Sequence, residues 1–540
     1  MPDYQKQNIY STTFKHRSVT MVLGQLYRHA LLRVAPSRLF CRRLTGGQPR
    51  AEASAMNFVH GRKDLPPRSS STELYDLLNP ATGETLCRFP MTSREETGHV
   101  IKTAVDAFPA WASVPATERG LVLRRAAALI RERREELAVL EAKDTGKPIY
   151  EARIDMDSGW QCLDFFASMT QTMSGQHIPL GTQAFVYTRR EPLGVCAGIG
   201  AWNFPFQGAC WKSAPALACG NTMVFKPSPL APLTTVCLAE LYLEAGLPPG
   251  AFCVVQGSVE TGEALCNHPA VAKVSCTGSV NTGVQVLKQV AEGLKPVTLE
   301  LGGKSPLVIF ADCDVENSIN GALMANFLSQ GQVCSNATRV FVERPLLDTF
   351  LERIEKRVRA IVPGDPLREE TRMGALISAE HLNRVLQYVE GARVEGARVV
   401  CGGERFVPKE HSLQGGFYMT PCILANCRDE MRVVREEVFG PVMSVLSFDT
   451  EDEVVCRANS SSFGLSSGVF TRDLSRAHRV AAALQAGSCY INNFNIFPME
   501  MPVGGYKMSG LGRENGAATI EHYSQLKSVY VELGDVESTL

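Results

Sequence analysis

The chain contains no run of about 18 apolar residues, which excludes a hydrophobic membrane-spanning helix. Its 17 cysteines include no C-x-x-C pair; the closest two, Cys422 and Cys427, have four residues between them. That spacing excludes a clustered thiolate zinc site and a thioredoxin-like redox pair. Net charge is almost absent, with 55 basic against 56 acidic side chains, so nothing marks a nucleic-acid binder. No well-placed G-x-G-x-x-G follows a strand, and the standard dinucleotide fingerprint is missing. GGKS at 302–305 resembles the end of a phosphate loop, but Thr298 stands where that loop needs glycine. Internal repeats and low-complexity tracts are absent from the core.

What is present describes a soluble, multidomain globular protein. Its 540 residues are 45% hydrophobic and 21% charged, enough apolar surface to offset chain entropy over two to four domains. Cys196, Cys219, Cys237, Cys253 and Cys276 lie in apolar runs, as small core residues do, and the usage suits a reducing compartment. The charge balance is uneven. Residues 1–55 hold nine basic and two acidic side chains, a net +7 that leaves −8 (46 basic, 54 acidic) for residues 56–540. This acid-poor, Arg-spaced leader reads either as a mitochondrial transit peptide or as a tail upstream of an alternative start at Met56.

Period-3.6 patterns predict amphipathic helices over Ser93–Phe108 and Thr117–Lys143, the second closed by Gly146 and Pro148. From Val195 to Leu301 short apolar runs alternate with helical segments. Strands are expected at Val195–Trp202, Thr222–Lys226, Phe252–Gln256, Lys273–Cys276 and Val297–Leu301. That alternation indicates βαβ units and a parallel sheet, with ligands outside the carboxyl ends of the strands. A second α/β series runs from Ser305 to about 490, with strands at 306–310, 338–343, 441–447 and 488–492. The end of the chain (QLKSVYVEL, 525–533) predicts a late strand, either at an edge or paired with another subunit.

Five features carry chemistry. Cys334, in GQVCSNATR, stands between a helical segment and a strand among small polar neighbours unlike those of the core cysteines. It is a candidate nucleophile or an inert thiol. Glu300 ends a buried apolar strand, where a carboxylate must be paired or pKa-shifted, as a general base is. Asn203, in AWNFP, offers an amide to a developing oxyanion or caps the following helix. Lys226 closes a strand, where its ammonium suits a ribose or phosphate, or is simply exposed before a proline. TGSVNTG at 277–283 turns from strand into helix, and the N–H groups of Gly278 and Ser279 suit a pyrophosphate. Asn203, Lys226, the Gly278 turn and Glu300 all fall at carboxyl ends of expected strands in one sheet.

These motifs resemble those of the NAD(P)-dependent aldehyde dehydrogenase superfamily over about residues 60–540. The matching signatures are LELGGKSP around Glu300, GQVCSNATR around Cys334, EEVFGPV at 436–442 and PVGGYKMSGLGRENG at 502–516. The resemblance implies Cys334 as nucleophile, Glu300 as base, and an oxyanion hole made by Asn203 with the Cys334 N–H. It implies NAD held by Lys226, Gly278, Ser279, Val280, Asn281, Thr282 and Trp202, with Glu437 on the nicotinamide ribose and Phe439 against the nicotinamide. The implied α/β fold has a Rossmann-like coenzyme domain at 56–173 and 193–301 and an α/β catalytic domain at 302–506. A small β oligomerisation element at 174–192 and 507–540 implies a homotetramer. Longer stretches, among them SGWQCLDFFA at 158–167 and YTRREPLGVCAGIGAWNFPFQ at 187–207, resemble the branch acting on 4-trimethylaminobutyraldehyde and betaine aldehyde, in carnitine synthesis.

Oxidation then runs from aldehyde to acid through a thiohemiacetal and a thioester, with no metal required. For a trimethylammonium substrate, Trp160, Phe166 and Trp211 are candidate pocket aromatics and Asp155 or Asp157 candidate counter-charges. Three positions depart from the family pattern: Pro229 where a ribose-binding Glu is common, Cys276 where Phe is usual, and Ala337 where Gly is usual. The first leaves NAD over NADP open. The alternatives are a general aliphatic aldehyde dehydrogenase, a cofactor-independent thiol enzyme and a non-catalytic NAD-binding relative. The resemblance implies a cytosolic enzyme; a translated and functional leader would direct it to the mitochondrial matrix.

Overall fold

A computed structural model describes residues 56–64 and 74–540. The leader 1–55 lies outside them. Among the described residues an eight-stranded and a seven-stranded sheet dominate. The first runs, edge to edge, Arg62–Asp64, Asn57–Val59, Phe252–Val254, Thr222–Lys226, Val195–Ile199, Val271–Thr277, Val297–Glu300, Gly510–Leu511. Its five inner strands are parallel, and the flanking strands pair antiparallel to them. Parallel strands covered on both faces read as continuous apolar runs, and Val195–Ile199 and Thr222–Lys226 are buried at every residue.

The strand order reverses beside Val195–Ile199. The chain builds outward through Thr222–Lys226 and Phe252–Val254 on one side, then returns to add Val271–Thr277 and Val297–Glu300 on the other. A crevice opens at the carboxyl ends at such a point, because the connecting helices leave to opposite faces.

The second sheet has the order Arg398–Cys401, Cys422–Ala425, Val442–Phe448, Arg339–Glu343, Pro306–Ile309, Ser466–Phe470, Ser488–Ile491. A third, antiparallel sheet pairs Ser524–Glu532 with Ala184–Pro192 over nine residue pairs, and His177–Pro179 lies beyond. Gly510–Leu511, grouped by sequence with this element, instead closes the edge of the first sheet against Leu299 and Glu300.

Side-chain caps start some of the helices. Ser93 and Glu96 form a reciprocal capping box on Arg94–Ala112, satisfying two otherwise orphaned N–H groups. The helix expected over Thr117–Lys143 is broken at Arg133 into Ala116–Glu132 and Arg134–Thr145, and Gly146 ends the second at φ 78°. Sequence periodicity missed the helix Ile149–Met169, whose buried face mixes Met156, Leu163 and Phe166 with Glu151 and Asp155. Among the described residues no helix is long and apolar enough to cross a membrane.

Candidate active site

The loop carrying Cys334 joins the helix Val315–Phe327 to the strand Arg339–Glu343. Ser329 and Gln330 within it adopt left-handed backbone, at φ 49° and 55°. Non-glycine residues hold that conformation at a cost of order 1–3 kcal/mol each, so surrounding bonds must impose it. They do. Glu151 accepts from the Ser329 N–H at 2.9 Å, and the Gln332 side chain accepts from the Ile377 N–H at 3.0 Å. Asn203 Nδ2 donates to the Gln332 carbonyl at 2.9 Å.

Burial, and then the nearby carboxylates of Glu437 and Glu300, push the half-buried Cys334 thiol up to about 12. Two glycines permit this crowding. A Cβ on Gly303 would stand 2.4 Å from the Cys334 carbonyl oxygen, and one on Gly302 would stand 2.1 Å from Glu437 Oε2.

Glu300 ends its strand with Oε1 buried and without a hydrogen-bond partner among the described residues. Burial, and then Glu514, raise its pKa well above the usual carboxylate range; Lys212 and Arg513 oppose the rise. Lys212, wholly buried on the helix Pro205–Ala218, forms an ion pair with Glu514 and donates to Ser275 Oγ at 3.2 Å. A raised pKa makes the ionised carboxylate a stronger base toward water than an ordinary one, which suits a general base. Lys212 and Glu514 were not singled out in the sequence. Only the fold brings residues 302 positions apart together.

Asn203 follows the strand Val195–Ile199, and Phe204, not Asn203, stands at the N-cap of the next helix, without a side-chain cap bond. The capping reading is therefore removed. One amide hydrogen is spent on Gln332, and the Asn203 carbonyl accepts from Lys147 Nζ at 2.8 Å. The other amide hydrogen is available to an oxygen developing charge at the thiol.

Lys226 is not an exposed lysine. It is buried, donates to the carbonyls of Pro227 (3.0 Å) and Gly257 (2.9 Å), and burial lowers its pKa to about 8. Across the strand Val195–Ile199 lies the start of the helix Val280–Ala291, where Ser279 caps through the Thr282 N–H at 3.2 Å. Asn281 and Thr282 are exposed there, and Gly278 and Val280 half-buried. An ammonium and an open helix N-terminus straddling a switch point form a donor set for a diphosphate.

Glu437 accepts from the Gly303 N–H at 3.1 Å, and burial raises it to about 7. Trp202 packs edge-on against Phe439, ring centres 5.1 Å apart, and against His381 at 5.4 Å. His381 in turn meets the Phe439 carbonyl at 2.7 Å. These residues fit a dinucleotide. The lysine of GGKS does not serve one: Lys304 Nζ is buried and has no hydrogen-bond partner among the described residues.

The pocket expectations need correction. Phe166 is fully buried in the core. Trp160 lies under Arg131, 4.8 Å from the ring centre, and donates to Asp157. Asp157 is paired with Arg134 at 2.6 Å and Asp155 with Lys147, so neither carboxylate is free for a substrate cation. Trp211 remains. Its ring meets Phe497 at 6.3 Å, Phe497 meets Tyr490 at 6.1 Å, and Tyr490 meets Phe494 at 5.1 Å. Tyr490 lies close enough to Cys334 to respond to its charge. Tyr490 lies inside the expected strand 488–492, whereas Phe497 lies in the loop beyond it and carried no periodic signal.

A family model described as the aldehyde dehydrogenase family matches residues 67–529. The chain is 60% identical over 483 residues to 4-trimethylaminobutyraldehyde dehydrogenase of Oryzias latipes, covering 89% of this chain and 95% of that one. Against the Homo sapiens enzyme of the same name the identity is 57%, covering 89% and 97%. Betaine aldehyde dehydrogenase of Staphylococcus aureus, solved with NAD+, superposes with a TM-score of 0.86 at 36% identity, over 90% of this chain and 97% of that one. The NAD+ complex of an aldehyde dehydrogenase from Bacillus cereus gives 0.85 at 39% identity, covering 89% and 97%.

Proposed function

The chain belongs to the aldehyde dehydrogenase family, and from that premise we propose that it oxidises 4-trimethylaminobutyraldehyde and related aminoaldehydes. The observation carrying the substrate reading is the aromatic series Trp211, Phe497, Tyr490, whose rings meet in turn toward Cys334; half-buried Trp211 and Phe497 are the members that would contact a quaternary ammonium. The names of the close relatives support it.

In this reading Cys334, having lost its proton to solvent, adds as thiolate to the aldehyde carbon, and Asn203 Nδ2 with the Cys334 N–H receives the oxyanion. NAD, when bound, supplies the hydride acceptor. Lys226, the stretch Gly278–Thr282, Trp202, Glu437 and Phe439 would hold it. Glu300, as carboxylate, then takes a proton from the water that cleaves the thioester and is left neutral; the nearby Lys212 ammonium favours the charged form it needs beforehand. Pro229 brings no carboxylate to an adenosine ribose, so the sequence does not exclude NADP.

Initial rates of NADH formation with 4-trimethylaminobutyraldehyde, betaine aldehyde and a long-chain aliphatic aldehyde test the substrate. The expected order of kcat/KM is that order. A strong preference for the aliphatic aldehyde overturns the substrate reading and leaves the family untouched.

A homotetramer is also proposed. Ser524–Glu532 is the edge of its sheet, with Leu526 (55%) and Tyr530 (57%) exposed on one face. A long, apolar exposed edge invites pairing with another copy. Light scattering should give a tetramer, and the double substitution Leu526→Asp, Tyr530→Asp a smaller species. A wild-type monomer overturns this. The compartment rests on the leader; imaging residues 1–55 fused to a fluorescent protein decides between matrix and cytosol.

A further inference from the structure

Lys147 follows Gly146, which ends one helix, and precedes Pro148, which starts the next. Its side chain is 1% exposed. The ammonium forms an ion pair with Asp155, stands 3.6 Å from Glu141 Oε1, and lies 4.3 Å from the centre of the Phe204 ring. Four carboxylates, Glu141, Asp144, Glu151 and Asp155, are buried in this region. Burying such charges is costly, and a helix can be fixed at least as well by apolar packing.

Two bonds leave the group toward the site. Lys147 Nζ donates to the Asn203 carbonyl at 2.8 Å. Glu151, which accepts from Tyr150 OH at 2.7 Å, accepts from the Ser329 N–H at 2.9 Å. Asn203 Nδ2 joins these arms by donating to Gln332, between Ser329 and Cys334. The loop of contacts therefore runs from Lys147 through Asn203 and Gln332 to Ser329, then through Glu151 back to the same helix.

We propose that Lys147 is a positioning residue for the oxyanion-binding amide: it fixes the Asn203 backbone while Glu151 fixes the nucleophile loop opposite. The helix Ile149–Met169 thus sets the separation of Asn203 Nδ2 and Cys334. A displacement of such a donor by about 1 Å costs up to about a hundredfold in rate.

The inference rests on Asn203 as the oxyanion donor. Lys147→Met alone leaves Asp155 and Glu141 buried without their cation, so the test uses Lys147→Met combined with Asp155→Leu, which removes the nearer carboxylate with it, and a second variant adds Glu141→Gln to the same pair. The expected result is a kcat lower by about tenfold or more with NAD binding unchanged in protein that is still folded at the assay temperature. Adding Asn203→Ala to this variant should give no greater loss than Asn203→Ala alone, because both remove the same aimed hydrogen bond. Wild-type kcat in the Lys147/Asp155 variant, or losses that multiply in full, overturns the proposal. If Asn203→Ala itself keeps full activity, the oxyanion reading fails instead.

Discussion

Cys334→Ala should remove aldehyde-dependent NADH formation by a factor on the order of 10⁴ or more while the protein stays folded and binds NAD. The loss is large because no neighbouring group can replace the thiol. Among the residues that crowd it, Glu437 is tied to the Gly303 N–H and Glu300 is a buried carboxyl group, a far weaker nucleophile than a thiolate. The fold should survive, since the half-buried Cys334 side chain is held by its loop rather than holding it: Glu151, Gln332 and Asn203 supply the bonds that set the backbone. Anaerobic NADH absorbance and equilibrium NAD binding, measured on the same preparation, separate lost chemistry from lost structure. Residual turnover within tenfold of wild type would move the nucleophile elsewhere.

Glu300→Gln is expected to divide the cycle. Acyl transfer to Cys334 needs no water, whereas thioester cleavage needs a base. The variant should therefore release one equivalent of NADH per active site rapidly and then turn over on the order of 10²- to 10⁴-fold more slowly than wild type. In the wild type the base works only as carboxylate. Burial and Glu514 raise its pKa, so kcat should fall as pH falls through a midpoint well above the ordinary carboxylate range. The variant should lack that acidic limb. Stopped-flow absorbance over a pH series measures both, and a variant without a burst, slowed equally in kcat and kcat/KM, would refute the assignment.

Much of this site was legible because its residues sit where one-dimensional patterns end. The strand Thr222–Lys226 was read at its observed bounds, and Glu300, at the end of Val297–Glu300, was read one residue inside its expected strand end; both were marked by a polar residue closing an apolar run. The helix Ile149–Met169 escaped because its buried face carries Glu151 and Asp155, which read as solvent-facing charges until their partners are known. Asp155 as a counter-charge for substrate was wrong for the same reason: Lys147 already neutralises it. The pocket aromatics divided unevenly. Phe166 went to the core, while the contact of Phe497, in a loop, with Tyr490, in an expected strand, emerged only from the fold.

By itself the sequence determined the alternating α/β order, the polar residues closing apolar strands and the motif around Cys334, because all three are encoded within a few neighbours along the chain. Tertiary structure alone decided which carboxylates are free. It placed Glu514 and Lys212 beside Glu300, gave Lys147 to Asp155 and Asn203, and buried Lys304. Pairing of charges depends on distances of a few ångströms between segments hundreds of residues apart, and local patterns carry no record of those distances.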